Sequence, residues 1–106
     1  MYDLRFADQA ANTLSQLQTG PRADPVKLGK VRRALARLQT NPRHPGLRSH
    51  QYQAFPGYTD DKVWDSYVEN NNPSAWRIYW KYGPDEQNDQ GQNVPVITVL
   101  VIGPHP

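Results

Sequence analysis

The sequence predicts a single α+β domain with the element order β-α-α-β-β-β. Three observations lead to this prediction. The length of 106 residues is that of one ordinary domain with one hydrophobic core, so residues 1–106 are assigned to a single domain. Two stretches near the N-terminus repeat apolar residues at helical spacing, and three β-rich stretches follow them.

The first strand and the first helix are predicted from the N-terminal 20 residues. Residues 2–6 alternate in polarity and are rich in β formers, which predicts a short strand. Asp8 is the predicted N-cap of the next helix, and Gly20-Pro21 ends it. The buried stripe of this helix is predicted to consist of Ala11, Leu14 and Leu17.

The second helix has a clear start and a clear end. Asp24 is its predicted cap, and Pro25 suits its first turn. Thr40-Asn41-Pro42 ends it, because the residue before a proline disfavours α geometry. Its buried side is predicted to consist of Leu28, Val31, Leu35 and Leu38.

The remaining chain is predicted to form three further strands. Residues 43–61 contain several prolines and glycines and are predicted to be irregular. Residues 62–69 and 75–82 are predicted to form a hairpin. The polar residues 83–95 are predicted to be an exposed, mobile connection. Residues 96–102 are apolar on both faces, which is typical of an inner strand.

Positive charge is concentrated between Arg22 and Arg48. This segment holds eight basic residues against the single Asp24, whereas the rest of the chain has four basic and nine acidic residues. A basic segment in a nearly neutral protein indicates a polyanionic partner such as nucleic acid. From charge alone, a solvated helix face explains the same pattern equally well.

The composition excludes several functional classes. The chain has no cysteine, so it cannot use a thiolate nucleophile, a Cys-ligated metal or a disulfide scaffold. No apolar run approaches the roughly 20 residues that cross a membrane, and the N-terminus has no signal-peptide core. A zinc site made of His44, His50 and His105 has no supporting ligand spacing. We therefore expect a cytoplasmic protein without cofactor, bound metal or membrane partner.

Three segments, in this order of elements, resemble the RelE/ParE superfamily of bacterial toxins, which includes the HigB and YoeB types. Residues 76–80, Trp-Arg-Ile-Tyr-Trp, resemble the family's aromatic-Arg-aliphatic-x-aromatic strand, and residues 63–68 resemble its hairpin partner. Residues 96–105 resemble the final strand, which ends in a functional His or Arg. The resemblance covers nearly the whole chain.

The resemblance implies a RelE-like fold, in which a twisted, mainly antiparallel sheet carries two helices packed on one face and a shallow concave site on the other face. It also implies an endoribonuclease that cuts mRNA on the ribosome by attack of the RNA 2′-hydroxyl on the adjacent phosphate, without a metal. The expected partners are mRNA, the ribosome and a cognate antitoxin. The alternatives are a ParE-like, non-catalytic inhibitor of a protein such as DNA gyrase, and an inactive RNA-binding module of the same fold.

Arg77 and His105 are the first candidates for catalysis by this resemblance. Strand alternation places Arg77 opposite the apolar side chains of its strand, where its guanidinium could clamp a phosphate. The alternative is a structural ion pair with Asp65 or Glu69. His105 could act as acid or base, since imidazole changes its charge near neutral pH. The alternative for it is a frayed terminal histidine.

Asp65 and Tyr67 complete the expected catalytic set. Many ribonucleolytic members of the family carry lysines at these positions, so the change implies either altered or lost catalysis. Asp65 could serve as a carboxylate base, and Tyr67 could bind phosphate or stack on a base. The three tryptophans are expected to lie in the core, with Trp64 as the candidate for a sheet edge.

A second set of residues is expected to bind RNA phosphates without reading sequence. The basic stripe of the second helix, formed by Lys27, Lys30, Arg33 and Arg37, could equally dock an acidic antitoxin segment. The residues of the following loop, Arg43, Arg48 and His50, could simply be solvated. The expected RNA-binding residues are Lys27, Lys30, Arg33, Arg37, Arg43, Arg48, His50 and Lys81.

Overall fold

A computed structural model describes residues 1–53, 55–58, 61–70, 72 and 74–104. Its elements are two helices, one short 3₁₀ turn at Pro45–Leu47 and seven strands. In chain order, the helices and strands are β1 (Asp3–Phe6), α1 (Asp8–Gln18), α2 (Pro25–Thr40), β2 (His50–Tyr52), β3 (Val63–Tyr67), β4 (Trp76–Tyr82), β5 (Glu86–Gln87), β6 (Asn93–Val94) and β7 (Val96–Pro104).

Five of the strands form one twisted sheet in the order β1-β7-β4-β3-β2. Only the pair β1–β7 is parallel, and the other pairs in this sheet are antiparallel. The predicted α+β class with a mainly antiparallel sheet is therefore confirmed. The apolar strand near the C-terminus is an inner strand, as predicted, because β7 lies between β1 and β4.

The boundaries of α1 are close to the prediction, but its cap and its buried side are not. Ala7, not Asp8, is the N-cap, and no side chain caps the helix. Leu17 is buried as predicted, whereas the other buried residues are Ala10 and Thr13. Ala11 is exposed because the helix is rotated by about one position from the predicted stripe.

The predicted features of α2 are confirmed. The carboxylate of Asp24 accepts a hydrogen bond from the backbone N–H of Lys27 at 3.0 Å, and Pro25 is the first helical residue. This cap satisfies one of the free N–H groups at the start of the helix. All four predicted apolar residues, Leu28, Val31, Leu35 and Leu38, are buried.

The sheet buries apolar side chains on both of its faces. The larger core lies between the helices and the sheet, and includes Ile78, Trp80 and Val99. On the opposite face, Phe55 covers Tyr79 and Leu100 in a second, smaller core. We call this face, which carries neither of the described helices, the free face. Its middle is filled by these side chains, and its exposed part lies at its ends.

Two segments hold structure that the sequence did not predict. The irregular segment 43–61 contains the 3₁₀ turn and the edge strand β2. The predicted mobile connection 83–95 contains a small hairpin, β5–β6. An ion pair between Arg5 and Glu86 links this hairpin to β1, with 3.0 Å between Nε and Oε2. Neither described helix is long and apolar enough to cross a membrane.

Candidate functional site

Five of the expected site residues meet at one end of the free face. Asp65 on β3 lies directly across from His50 on β2, and Tyr67 lies directly across from Arg77 on β4. Because alternate residues of a strand share a face, this register brings their side chains together. Arg48, just before β2, completes the group. We call these five residues the Arg77 cluster.

The centre of the Arg77 cluster is an ion pair. Nη1 of Arg77 donates to both carboxylate oxygens of Asp65, at 3.2 and 3.1 Å. The Asp65 side chain is 1% exposed and the Arg77 side chain 16% exposed. This contact is the structural ion pair expected as the alternative for Arg77. It fixes the guanidinium in place but uses only one of its nitrogens.

An aromatic ring supports the same guanidinium. The centre of the Arg77 guanidinium lies 3.7 Å from the centroid of the Tyr67 ring, which is cation–π contact. The guanidinium of Arg48 lies 5.8 Å from the same ring. Tyr67 therefore holds two cations next to each other, an arrangement that favours an anionic ligand between or above them.

His50 is the member of the cluster whose side chain, an imidazole, ordinarily gives or takes a proton. Its side chain is 52% exposed, and Nε2 lies 3.4 Å from Oδ2 of Asp65. Nδ1 lies 3.1 Å from the carbonyl oxygen of Arg48. In the imidazolium form Nδ1 donates to this carbonyl oxygen, and the ring forms an ion pair with Asp65. The sequence predicted His50 only as an RNA-binding residue, because β2 was not predicted.

Asp65 lies beneath the cluster rather than at its surface. A carboxylate with 1% side-chain exposure cannot touch a substrate hydroxyl while it is paired with Arg77, so its contacts suit a positioning residue. Directly across from it on β4, Tyr79 is fully buried. Burial raises the pKa of the Tyr79 hydroxyl, and the nearby Asp65 carboxylate raises it further. The phenol therefore stays neutral at physiological pH.

One nitrogen of the Arg77 guanidinium is left without a described partner. Its Nε atom is buried and has no hydrogen-bond partner among the residues that the structure describes. Across from Arg77 on β7 stands Gly103. A Cβ atom built there would meet no described atom within 4 Å. The guanidinium thus keeps a donor that no described residue uses, and a phosphate that reached it would supply the missing acceptor.

The basic stripe of α2 divides into two halves. Lys27 and Lys30 both bind the carboxylate of Glu69, at 2.8 and 3.1 Å. Hydrogen bonds from Lys27 and, secondarily, Lys30 and Trp76 hold the pKa of this carboxyl below its ordinary value, against the effect of burial. Because Glu69 neutralises much of their charge, these two lysines contribute less to a polyanion site than the sequence suggested.

Arg33 and Arg37 form the other half of the stripe. They line a polar groove between α2 and the end of β3, and Tyr67 lines the same groove. The groove has a volume of about 160 Å³. It leads from the helix surface to the Arg77 cluster, so two of the expected RNA-binding arginines lie on the approach to the expected catalytic residues.

Lys81 and Arg43, like the four residues of the basic stripe of α2, do not belong to the cluster. Lys81 shares the face of Arg77, but it binds Asp61 at 3.3 Å beyond the buried Tyr79. Arg43 lines a different cavity, which also contains Trp64 and Trp80. His105 lies outside the described residues. Among the described residues, no group of three or more His, Asp or Glu side chains could hold a metal ion.

Comparison with known proteins assigns this chain to no family. No protein-family model, curated protein or solved structure gives a significant match to this chain.

Proposed function

We propose that the chain is an endoribonuclease that binds single-stranded RNA at the Arg77 cluster. The observation that carries this proposal is the arrangement of Arg77, which is stacked on Tyr67 at 3.7 Å and anchored by Asp65 while its Nε atom has no partner among the described residues. A fixed cation of this kind stabilises the charge that develops on a phosphate during transfer. The resemblance to RelE-like toxins supports the same chemistry.

The proposed reaction is attack of the 2′-hydroxyl of RNA on the adjacent phosphorus. The bond from O2′ to phosphorus forms and the bond from phosphorus to O5′ breaks, which gives a 2′,3′-cyclic phosphate and a free 5′-hydroxyl. A base takes the proton of the 2′-hydroxyl, and an acid gives a proton to O5′. The substrate must be RNA, since DNA has no hydroxyl at this position.

The residues of the cluster have distinct roles in this proposal. Arg77 clamps the scissile phosphate, and His50 and His105 supply acid and base. Asp65 is a positioning residue that orients both Arg77 and His50. Tyr67 supports the clamp and offers its exposed edge to a base. Arg33 and Arg37 bind the flanking phosphates in their groove.

The same proposal extends to the biological setting. The chain would act in the cytoplasm on mRNA, with the ribosome presenting the substrate, and a cognate antitoxin would neutralise it. The Arg33–Arg37 groove is a suitable contact for an acidic antitoxin segment, since its cations would then be covered.

The test is induced expression in bacteria followed by mapping of mRNA 5′ ends. We expect new 5′-hydroxyl ends with the unaltered protein and their loss with Arg77→Ala. Lys81→Ala is the matched control, because it removes a cation of the same face that lies outside the cluster. If cells that make the folded, unaltered protein contain only uncut mRNA, the nuclease proposal is wrong.

A second function is favoured by the Arg77–Asp65 ion pair. This pair matches the structural alternative for Arg77, and a cluster of this kind can serve binding alone. The corresponding proposal is a non-catalytic inhibitor of a protein target such as DNA gyrase. Growth arrest with intact mRNA would support this proposal over the nuclease. The purified protein should then also inhibit DNA supercoiling by gyrase.

A further inference from the structure

A second cavity lies on the helix side of the sheet and shares Arg48 with the Arg77 cluster. It has a volume of about 300 Å³ and opens between the loop before β2 and the ends of β3 and β4. This volume is at the lower end of the range for ligand pockets, roughly 300–1,000 Å³. Its lining residues include Arg43, His44, Arg48, Trp64, Trp80 and Tyr82.

One wall of this cavity is aromatic. The rings of Trp64 and Trp80 are stacked, with centroids 6.0 Å apart and 21° between their planes. Tyr82 stands edge-on to Trp80 at 4.9 Å. Trp80 is buried, Trp64 is half-buried, and Tyr82 is 46% exposed. Large aromatic side chains left accessible beside a cavity are typical of a site that binds a planar group.

The opposite wall is tied to the sheet by hydrogen bonds. Nε1 of Trp80 donates to Oγ of Ser66 at 2.8 Å, and Ser66 shares a hydrogen bond of 2.6 Å with Ser49. The hydroxyl of Ser49 also donates to the carbonyl oxygen of Pro42 at 3.0 Å. This chain of contacts joins the loop, the indole and β3, so the cavity is formed before any ligand arrives.

The cavity is positively charged. Its described lining contains two arginines and one histidine but no acidic residue. The guanidinium groups of Arg43 and Arg48 make no ion pair with any residue in the described part of the chain. Burial raises the pKa of the Tyr82 hydroxyl, as does Tyr2, whereas Arg43 lowers it, which places this cation close to the aromatic wall.

We propose that this cavity is a second nucleotide site, which takes one unpaired base of single-stranded RNA together with its phosphate. The base stacks on Trp64, the ring of Tyr82 closes its edge at 77° to the Trp64 plane, and the phosphate binds Arg43. Stacking platforms beside cations are the general means of holding single strands, because every base has a π-face and every nucleotide has a charge. An uncharged, apolar peptide segment would form no favourable electrostatic contact with the two arginines, so it is not the proposed ligand.

Arg48 connects the two sites. It lines this cavity and also lies 5.8 Å from the ring of Tyr67 in the Arg77 cluster. A strand held in the cavity can therefore pass Arg48 and reach the scissile position at the cluster. The inference rests on the proposed function in taking RNA as the ligand, and it adds that the substrate must be unpaired over several nucleotides.

The first experiment measures binding of a fluorescein-labelled, 2′-O-methylated single strand by fluorescence anisotropy. This strand cannot be cleaved, because its 2′-oxygens carry no proton. We expect about tenfold weaker binding for Arg43→Ala and for Tyr82→Leu, since loss of a stacked base or its phosphate has an effect of this size. The matched control is Arg32→Ala, which removes an exposed cation of α2 outside both sites.

The outcomes separate this site from the proposed nuclease. Cleavage of RNA and binding of the uncleavable strand are measured for each variant: Arg77→Ala should abolish cleavage, whereas Arg43→Ala and Tyr82→Leu should weaken binding. Affinities of Arg43→Ala and Tyr82→Leu equal to that of Arg32→Ala would overturn the nucleotide site, whether or not the protein cuts RNA. Equal binding of the same strand in a duplex would also overturn it, since paired bases cannot enter the cavity.

Discussion

The guanidinium of Arg77 lies 3.7 Å above the ring of Tyr67, its direct neighbour across β3 and β4. The two residues come from segments only ten positions apart, and the register of the hairpin alone brings them together. The ring covers one face of the cation, and Asp65 holds one of its nitrogens. The clamp proposed for phosphate is thus assembled by a single hairpin.

Replacement of Tyr67 tests the contribution of its ring. We expect Tyr67→Leu to lower the RNA cleavage rate about tenfold, because a cation–π contact of ~0.5–2 kcal/mol is lost and the clamp loosens. Tyr67→Phe keeps the ring and should retain most of the rate. The measurement is the rate of product formation with a short RNA. Equal losses in both variants would assign the effect to the hydroxyl instead.

Removal of Asp65 should reduce stability. Asp65→Ala leaves the guanidinium of Arg77 without its counter-charge, and a broken buried pair costs about 3–5 kcal/mol. Since the Arg77 side chain keeps 16% exposure, we expect a smaller loss, about 2–3 kcal/mol, in the free energy of unfolding measured with urea. The double variant Asp65→Ala/Arg77→Ala should recover part of this loss. Additive losses would mean that the pair is not coupled in solution.

The ion pairs of Glu69 should make stability depend on pH. The pKa of Glu69 is lowered in the folded protein, chiefly by its hydrogen bond to Lys27. A lowered pKa means that the stabilisation is complete above the ordinary carboxyl value of 4.5 and is lost as the pH falls through the folded value. Glu69→Gln should remove this part of the dependence in urea unfolding measured from neutral to acidic pH. The exposed counterpart Glu86→Gln should change it less.

The two helix starts should respond differently to loss of an aspartate. Asp24→Ala removes the hydrogen bond to the N–H of Lys27, and we expect a loss of about 1 kcal/mol in the free energy of unfolding. Asp8 makes no cap hydrogen bond, so Asp8→Ala should cost less, through the helix dipole only. Thermal or urea unfolding of both variants gives the comparison. A larger effect at Asp8 would contradict the assignment of Ala7 as N-cap.

Strong local patterns were enough to predict most of the fold. Asp24 before Pro25 and the spacing of Leu28, Val31 and Leu35 determine α2 with little help from the rest of the chain. The rotation of α1 was missed because Ala10 and Thr13 are small or polar, and only packing against β7 decides that they are buried. Sequence periodicity has no access to that contact.

The site was predicted only in part for a related reason. Alternation along β4 correctly placed Arg77 opposite Ile78 and Trp80. The position of His50 depends on β2, a three-residue edge strand that pairs with β3 but has no pattern of its own. The aromatic cavity depends on Ser49 and Ser66, which are far apart in the chain and meet only in the folded protein.

The parallel pairing of β1 with β7 determines when the sheet can be completed. Asp3 pairs with Val96, so β1 gains its neighbour in the sheet only once β7 has been made. Until then α1 also lacks the strand against which it packs, although β4 can already cover part of the helix surface. Contacts this distant in sequence slow folding, because a long loop must close before they form. Completion of the core beneath α1 is therefore expected to be a late step of folding.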